Sequence, residues 1–135
     1  MAEIKGGCLC GAVRYSAETE QTEAIICHCT DCQKFTGAAF AALVPLQKSA
    51  LTITGPVKTH SALGGSGNPV IRHFCAECGS SLLEEPTVRP GLAIVFAGTL
   101  DDPKAVSPAR EIFRDDALPW VQVDGDIPRF AKRPT

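Results

Sequence analysis

A mainly β fold is predicted by three features of the 135-residue sequence. Short alternating or apolar runs recur through the middle and C-terminal parts of the chain, and Gly and Pro separate them. Only one segment carries a clear helix-start signal. The length suits one compact domain, so we expect a single domain over residues 1–135.

The predicted strands are runs of apolar or β-branched residues bounded by turn formers. Val13 and Tyr15, for example, share one face of an alternating segment. The predicted strands cover residues 11–16, 38–44, 51–54, 57–62, 70–74, 80–83, 92–97 and 111–113. The Gly-rich segment 64–69 is predicted to be a hairpin loop rather than a mobile lid.

One short helix is predicted beside the central cysteines. Thr30 and Gln33 have the capping-box spacing, with Thr30 as N-cap, and Gly37 is suited to end the helix after about two turns. The Pro-rich tail from 118 to 130 is predicted to be a strap over the sheet, with Trp120 and Phe130 as its anchors.

Composition excludes several function classes. The net charge is −2 and the 13 basic residues are scattered, so a nucleic-acid partner is not expected. The longest apolar stretches are shorter than the roughly 18 residues of a membrane span. The first residues lack the apolar region of a secretory signal, and we expect a cytoplasmic protein.

Seven cysteines stand out in this otherwise ordinary composition. An odd number cannot pair completely within one chain, and cytosolic thiols are kept reduced. Their share is also below the roughly 8 to 10% that is typical of disulfide scaffolds. Metal binding or redox chemistry is therefore the expected role.

Four of these cysteines are predicted to hold a structural zinc. Closely spaced cysteines followed by Gly11 or Gly79 form turns in which sulfurs converge. The set Cys8, Cys10, Cys75 and Cys78 supplies the four thiolates of a closed tetrahedral site. Two disulfides or buried free thiols are the alternatives.

The other three, Cys27, Cys29 and Cys32, are predicted to hold a catalytic zinc with one open position. Cys32 falls in the first turn of the predicted helix, where the helix dipole favours thiolate. An electron-rich centre of this kind suits a substrate thiol as fourth ligand, which indicates carbon–sulfur bond formation or cleavage. Metal-free thiols or an adventitious disulfide are the alternatives.

The histidines are assigned supporting roles. In an extended Cys-His-Cys segment His28 points away from its neighbours' sulfurs, so we expect it to support the site or face the substrate rather than bind metal. His60 and His73 are expected to be hydrogen-bonded sheet residues. Thr36, Gly37 and Phe40 either line a pocket or serve helix termination and packing.

Three cysteine motifs in this order resemble the glutathione-dependent formaldehyde-activating enzyme (GFA) family, also called the CENP-V/GFA domain. The resemblance spans roughly residues 5 to 130. It rests on the segments 6–15 (GGCLCGAVRY), 27–37 (CHCTDCQKFTG) and 74–80 (FCAECGS), with 97–102 (AGTLDD) and 118–120 (LPW) in support.

This resemblance implies an Mss4-like fold with short β-sheets stapled by zinc. It also implies a structural zinc at Cys8, Cys10, Cys75 and Cys78, and a catalytic zinc at Cys27, Cys29 and Cys32. The family's name-giving reaction joins glutathione and formaldehyde as S-(hydroxymethyl)glutathione, formally a carbon–sulfur lyase in reverse. The expected partners are a small thiol and a carbonyl electrophile.

Two other functions remain open at this point. The same scaffold suits a zinc-stabilised protein-interaction or chaperone-like module, which would need closed metal sites. Reversible oxidation of Cys27, Cys29 and Cys32 would instead make the protein a thiol sensor.

Overall fold

The computed structural model describes residues 2–133 and confirms the mainly β, Mss4-like fold class. Within these residues α1 (Thr30–Thr36) is the only α-helix, and short 3-10 turns connect some of the strands. The strands are β1 (Glu3–Gly7), β2 (Arg14–Glu18), β3 (Glu23–Cys27), β4 (Ala41–Gln47), β5 (Leu51–Thr54), β6 (Val57–Leu63), β7 (Pro69–Cys75), β8 (Ser81–Pro86), β9 (Leu92–Phe96) and β10 (Ser107–Ile112).

The strands form a small sheet and a large one. The small sheet has the antiparallel order β1-β2-β5, and the large sheet has the order β10-β3-β4-β9-β8-β7-β6. All pairings in the large sheet are antiparallel except that of β10 with β3. Apolar side chains of β2 pack against one face of the large sheet and form the main core, which includes Tyr15, Ala17, Val44, Leu46, Leu83 and Val95.

The opposite face of the large sheet carries α1. Phe35 of the helix packs on Phe96 of β9, with the ring centroids 5.6 Å apart. Cys27 and Cys32 are buried in the same apolar cluster. The helix therefore brings the central cysteines onto this face, which we call the helix-bearing face.

Both ends of α1 have local causes. Gly37 ends the helix with a left-handed backbone, φ 68°, and its N–H donates to the Gln33 carbonyl, as the sequence predicts. The predicted N-cap is wrong by one residue, because Cys29 and not Thr30 precedes the helix with an extended backbone. The Cys29 sulfur accepts a hydrogen bond from the Cys32 N–H, the role that an oxygen usually has at this position.

Some strand predictions are wrong. Strands β1 and β3 have no counterpart among the predicted runs, and β10 begins four residues before the predicted segment 111–113. Strand β2 begins at Arg14 because residues 9–12 form the turn that carries Cys10. Segment 64–68 is the hairpin loop between β6 and β7, as predicted.

The prediction that Trp120 anchors the C-terminal strap is wrong, whereas Phe130, the other predicted anchor, is half-buried. The Trp120 side chain is 73% exposed. The segment is attached to β10 by its backbone instead, since the Phe130 N–H donates to the Glu111 carbonyl and the Glu111 N–H donates to the Pro128 carbonyl.

Among residues 2–133, no helix combines the length and the apolar character that crossing a membrane requires.

Candidate metal centres

The first cysteine group joins two distant turns. Cys8 follows β1 and Cys75 ends β7. The four sulfurs of the group, from Cys8, Cys10, Cys75 and Cys78, all lie within 4.8 Å of one another. The Cys8–Cys10 and Cys10–Cys75 sulfur distances are 3.6 and 3.9 Å. Four sulfurs at about 2.3 Å from a tetrahedral zinc would be about 3.8 Å apart, so the spacing fits this ion.

Each turn positions its sulfurs through the backbone. Gly11 and Gly79 adopt φ of 82° and 78°, the left-handed region that favours glycine. Their N–H groups donate to the carbonyls of Cys8 and Cys75, which closes the two turns. Val13 N–H donates to the Cys8 sulfur at 3.2 Å. The Val13 bond favours thiolate at Cys8, and the two closed turns hold the four sulfurs close together.

Ser80 supports the second of these turns. Its hydroxyl lies 3.2 Å from the Cys78 sulfur and also accepts from the Leu9 N–H at 3.0 Å. Hydrogen bonds from the Ser80 side chain and backbone lower the pKa of Cys78 to about 5. One hydroxyl thus links the turn after β1 to the turn after β7.

The second cysteine group is built at the junction of β3 and α1. Cys27 ends the strand, Cys29 caps the helix and Cys32 lies in its first turn. Their three sulfurs lie within 4.8 Å of one another. Cys27 and Cys32 are buried, whereas Cys29 is half-exposed. Among residues 2–133, no fourth Cys, His, Asp or Glu atom joins this group at that distance.

The three thiols divide their charge unequally. Hydrogen bonds from the Cys27 and Cys32 thiols, and from the Cys32 N–H, lower the pKa of Cys29 to about 2. The Cys29 sulfur raises the pKa of Cys27 to about 12, and Cys27 and Cys29 together raise that of Cys32. Without a metal ion, the group therefore holds one thiolate and two thiols at neutral pH.

His28 is turned away from the sulfurs, in the direction predicted from the sequence. Its Nε2 lies 2.6 Å from Oε1 of Glu111 on β10, and both side chains are fully buried. Glu111 also accepts hydrogen bonds from Arg114 and Arg129. These bonds lower the pKa of Glu111 although burial alone would raise it.

Sequence reasoning missed Glu111 and Arg129. Arg129 also donates to the carbonyls of Val123 and Gly125, so the C-terminal segment folds around its guanidinium. The hydrogen bonds that join His28 to Glu111 and Glu111 to Arg129 hold the peptide segment between Cys27 and Cys29 in place. The only signal in the sequence was that Glu111 is a charged residue in a short predicted strand next to an apolar run. This signal does not indicate which residues Glu111 contacts.

A cavity of about 680 Å³ lies beside the second half of α1 and the turn that carries Cys78. Thr36, Gly37 and Phe40 line it, which agrees with the interpretation of these residues as pocket lining. Phe35 and Phe96 line it too, and both belong to the apolar cluster in which Cys27 and Cys32 are buried. The wall includes Cys78 of the four-cysteine group but none of Cys27, Cys29 and Cys32.

The hairpin loop between β6 and β7 reaches the same region. A Cβ atom added to Gly65 would lie 3.5 Å from the ring of Phe113, and Phe113 packs against the apolar cluster that contains Cys27 and Cys32. Phe113 has φ of 56°, unusual for a residue other than glycine. The two ends of the large sheet therefore approach each other above the helix-bearing face.

The donor sets of both groups fit zinc. Thiolate is the ligand type that Zn²⁺ favours, and either group is compact enough to surround one ion. Both cysteine clusters could therefore hold a metal ion, the first with four protein ligands and the second with three.

The fold is similar to that of a known structure. A crystal structure of a Rhodobacter sphaeroides protein, a structural-genomics target, aligns with a TM-score of 0.60 and 23% identity. The alignment covers 93% of this chain and 98% of the other. A comparison with curated proteins gives no significant match.

The sequence itself matches a family over most of its length. The profile described as glutathione-dependent formaldehyde-activating enzyme covers residues 3–116, which include all seven cysteines together with His28 and Glu111. On this evidence the chain belongs to the glutathione-dependent formaldehyde-activating enzyme (GFA) family.

Proposed function

We propose that the protein is a zinc-dependent enzyme of the carbon–sulfur lyase type. It binds a small thiol at the cluster of Cys27, Cys29 and Cys32 and forms or breaks a bond between that sulfur and a carbonyl carbon. The observation that carries this proposal is the three-sulfur cluster, which has no fourth protein ligand among residues 2–133.

The cysteines have separate tasks in this proposal. Cys8, Cys10, Cys75 and Cys78 hold a structural zinc that fastens the start of the chain to its middle. Cys27, Cys29 and Cys32 hold the catalytic zinc, which would supply a site where a substrate thiol is kept as thiolate at neutral pH. His28, fixed by Glu111, orients the peptide between two of these ligands.

Family membership favours glutathione and formaldehyde as the substrates, with S-(hydroxymethyl)glutathione as the product. A reducing compartment such as the cytoplasm suits this assignment, since seven thiols must stay reduced.

The rival is a zinc-stabilised protein-interaction or chaperone-like module. A purely structural module needs closed metal sites. Among residues 2–133 no His, Asp or Glu atom completes the three-cysteine cluster, and Nε2 of the neighbouring His28 is engaged by Glu111. This contact favours the enzyme over the module.

Metal analysis combined with zinc-edge absorption spectroscopy tests the proposal. We expect two zinc ions per chain and, on adding glutathione, one more sulfur in the first shell of one of them. The Cys29→Ser variant should lose this response, and Ser66→Ala in the exposed hairpin loop should keep it. An unchanged spectrum with every small thiol tried would refute the proposal.

A further inference from the structure

Arg72 and Glu84 form a buried pair on the helix-bearing face. They are cross-strand partners on β7 and β8, and each is 8% exposed. Glu84 stands opposite Ile94, which packs in one cluster with Cys27 and Cys32. The pair therefore lies beside the three-cysteine group on the same face of the sheet.

Arg72 ties this pair to the helix. Its guanidinium carbon lies 5.9 Å from the centroid of the Phe35 ring, in the cation–π range. Phe35 belongs to α1, three residues after Cys32. A second element thus places the guanidinium next to the candidate catalytic cluster.

The pair is poorly satisfied for two buried charges. Arg72 Nε and Glu84 Oε2 are 3.7 Å apart, which is too long for a hydrogen bond. Arg72 Nε is enclosed without a hydrogen-bond partner, and the long contact with Arg72 is the one side-chain interaction found for the Glu84 carboxyl among residues 2–133. Glu111, also buried, receives several hydrogen bonds. Buried groups left this way seldom serve stability.

We propose that Glu84 is the proton-transfer residue of the carbon–sulfur chemistry and that Arg72 positions its carboxyl; this rests on the proposed function. As a thiol binds, its S–H proton passes to the Glu84 carboxylate. The sulfur electron pair then forms the bond to the carbonyl carbon, and the carbonyl π pair moves to oxygen. Glu84 returns the proton to that oxygen, so that thiol and carbonyl become a hydroxyalkyl thioether and the carboxylate is restored.

The electrostatic surroundings suit this role. Burial raises the pKa of Glu84 to about 7; the positive charge of Arg72 lowers it, and the charges of Cys29 and Asp31 raise it. The charged or titratable groups around Glu84 are Arg72 on β7, the cysteines and Asp31 at the start of α1, and His60, in register with Arg72 on β6. A general acid–base works best with a pKa near the operating pH.

Proton release on thiol binding tests the role without any catalytic turnover. The zinc-loaded protein is titrated calorimetrically with glutathione or 2-mercaptoethanol at pH 7, in two buffers of different ionisation enthalpy. We expect clearly less than one proton released per thiol bound by the wild type, because Glu84 keeps part of it. We expect the Glu84→Gln variant to release about one proton per thiol bound, because no carboxylate remains to accept it.

Glu85→Gln is the matched control. Glu85 is the next residue on β8, points to the opposite face by strand alternation and pairs with His73 and Lys48. This variant should release as few protons as the wild type. Melting temperature and zinc content show whether Glu84→Gln is folded and loaded.

The outcomes separate the two proposals. Absence of thiol binding overturns the proposed function and the role of Glu84 together. Thiol binding with one full proton released by the wild type overturns the role of Glu84 alone, even if Glu84→Gln does not fold. In the condensation assay, Glu84→Gln should lower kcat about 10²- to 10⁴-fold with little change in KM and remove the pH dependence near 7; an unchanged kcat also overturns it.

Discussion

Replacing Glu111 with Gln should destabilise the fold and loosen the three-cysteine cluster. The substitution keeps the size of the side chain but removes the charge that faces His28, Arg114 and Arg129. His28 is fully buried, whereas the two arginines are more than a third exposed and can be hydrated. The loss therefore falls mainly on the contact between Glu111 and His28.

The magnitude follows from this division. A hydrogen bond to a buried charged group contributes about 1.5 to 3 kcal/mol. Because the contact with His28 is fully buried while the amide can still accept one hydrogen bond, we expect a loss of about 2 to 3 kcal/mol. An unfolding entropy of about 2.1 cal/mol/K per residue gives ~0.28 kcal/mol/K for 135 residues, so Tm should fall by roughly 7 to 11 °C.

Thermal unfolding of the zinc-loaded protein measures the stability, and chelator competition measures the metal affinity of the three-cysteine cluster. We expect that affinity to fall about 10- to 100-fold, because the peptide that carries Cys27 and Cys29 loses its support. Glu18→Gln, on the exposed side of β2, is the control and should match the wild type. A Tm within 2 °C of the wild type and an unchanged affinity would refute the reasoning.

The effect has a defined pH dependence. The pKa of Glu111 is lowered in the folded protein, so its contribution is complete above its unfolded value of about 4.3 and is lost as the pH falls through the folded value. The difference in unfolding free energy between wild type and Glu111→Gln should thus be full at pH 7 and shrink below about pH 4. A difference that stays constant down to pH 3 would assign it to packing instead.

Other substitutions separate the two clusters and test local backbone effects. Cys75→Ser should remove one zinc and lower the melting temperature, whereas Cys29→Ser should remove the other zinc and thiol binding while the fold persists; equal unfolding of both would contradict the division. Gly37→Ala should cost about 1 to 2 kcal/mol in denaturant unfolding, because its left-handed φ of 68° disfavours a Cβ even where nothing lies within 4 Å. The pKa of Cys27 is raised to about 12 and that of Cys29 is lowered to about 2, so zinc binding at their cluster displaces two protons. The zinc affinity should therefore rise about 100-fold per pH unit between pH 6 and 7.5. A tenfold rise per pH unit, which corresponds to one proton, would be inconsistent with this. Trp120→Ala should change stability by less than about 0.5 kcal/mol in the same unfolding assay, because the side chain is exposed.

The parts that the sequence predicted are those with local causes. Cysteines two or three residues apart converge through a single turn, and Gly11 and Gly79 have the positive φ that such turns require. The helix stop at Gly37 depends on one residue and one hydrogen bond. Strand β5 matched because its alternation is complete over residues 51–54.

The parts that it missed depend on contacts across the chain. Strand β1 reads as a Gly-rich segment, yet Gly6 is needed there because a Cβ would lie 2.4 Å from the Tyr15 hydroxyl. Strand β3 is completed by β10, more than 80 residues later, and His28 meets Glu111 through this pairing. No local pattern reveals which partner such residues find.

The two cysteine clusters differ in how much chain lies between their ligands. Cys27 and Cys32 are five residues apart, whereas Cys10 meets Cys75 across 65 residues. Closing the longer loop costs more chain entropy, and its ends meet only once β1, β2, β7 and β8 are assembled. During synthesis or refolding, the three-cysteine cluster can therefore capture a metal ion while the chain is still unfolded. Occupancy of the four-cysteine cluster would instead mark a completed fold, so a chain that binds metal at both clusters would load them in this order.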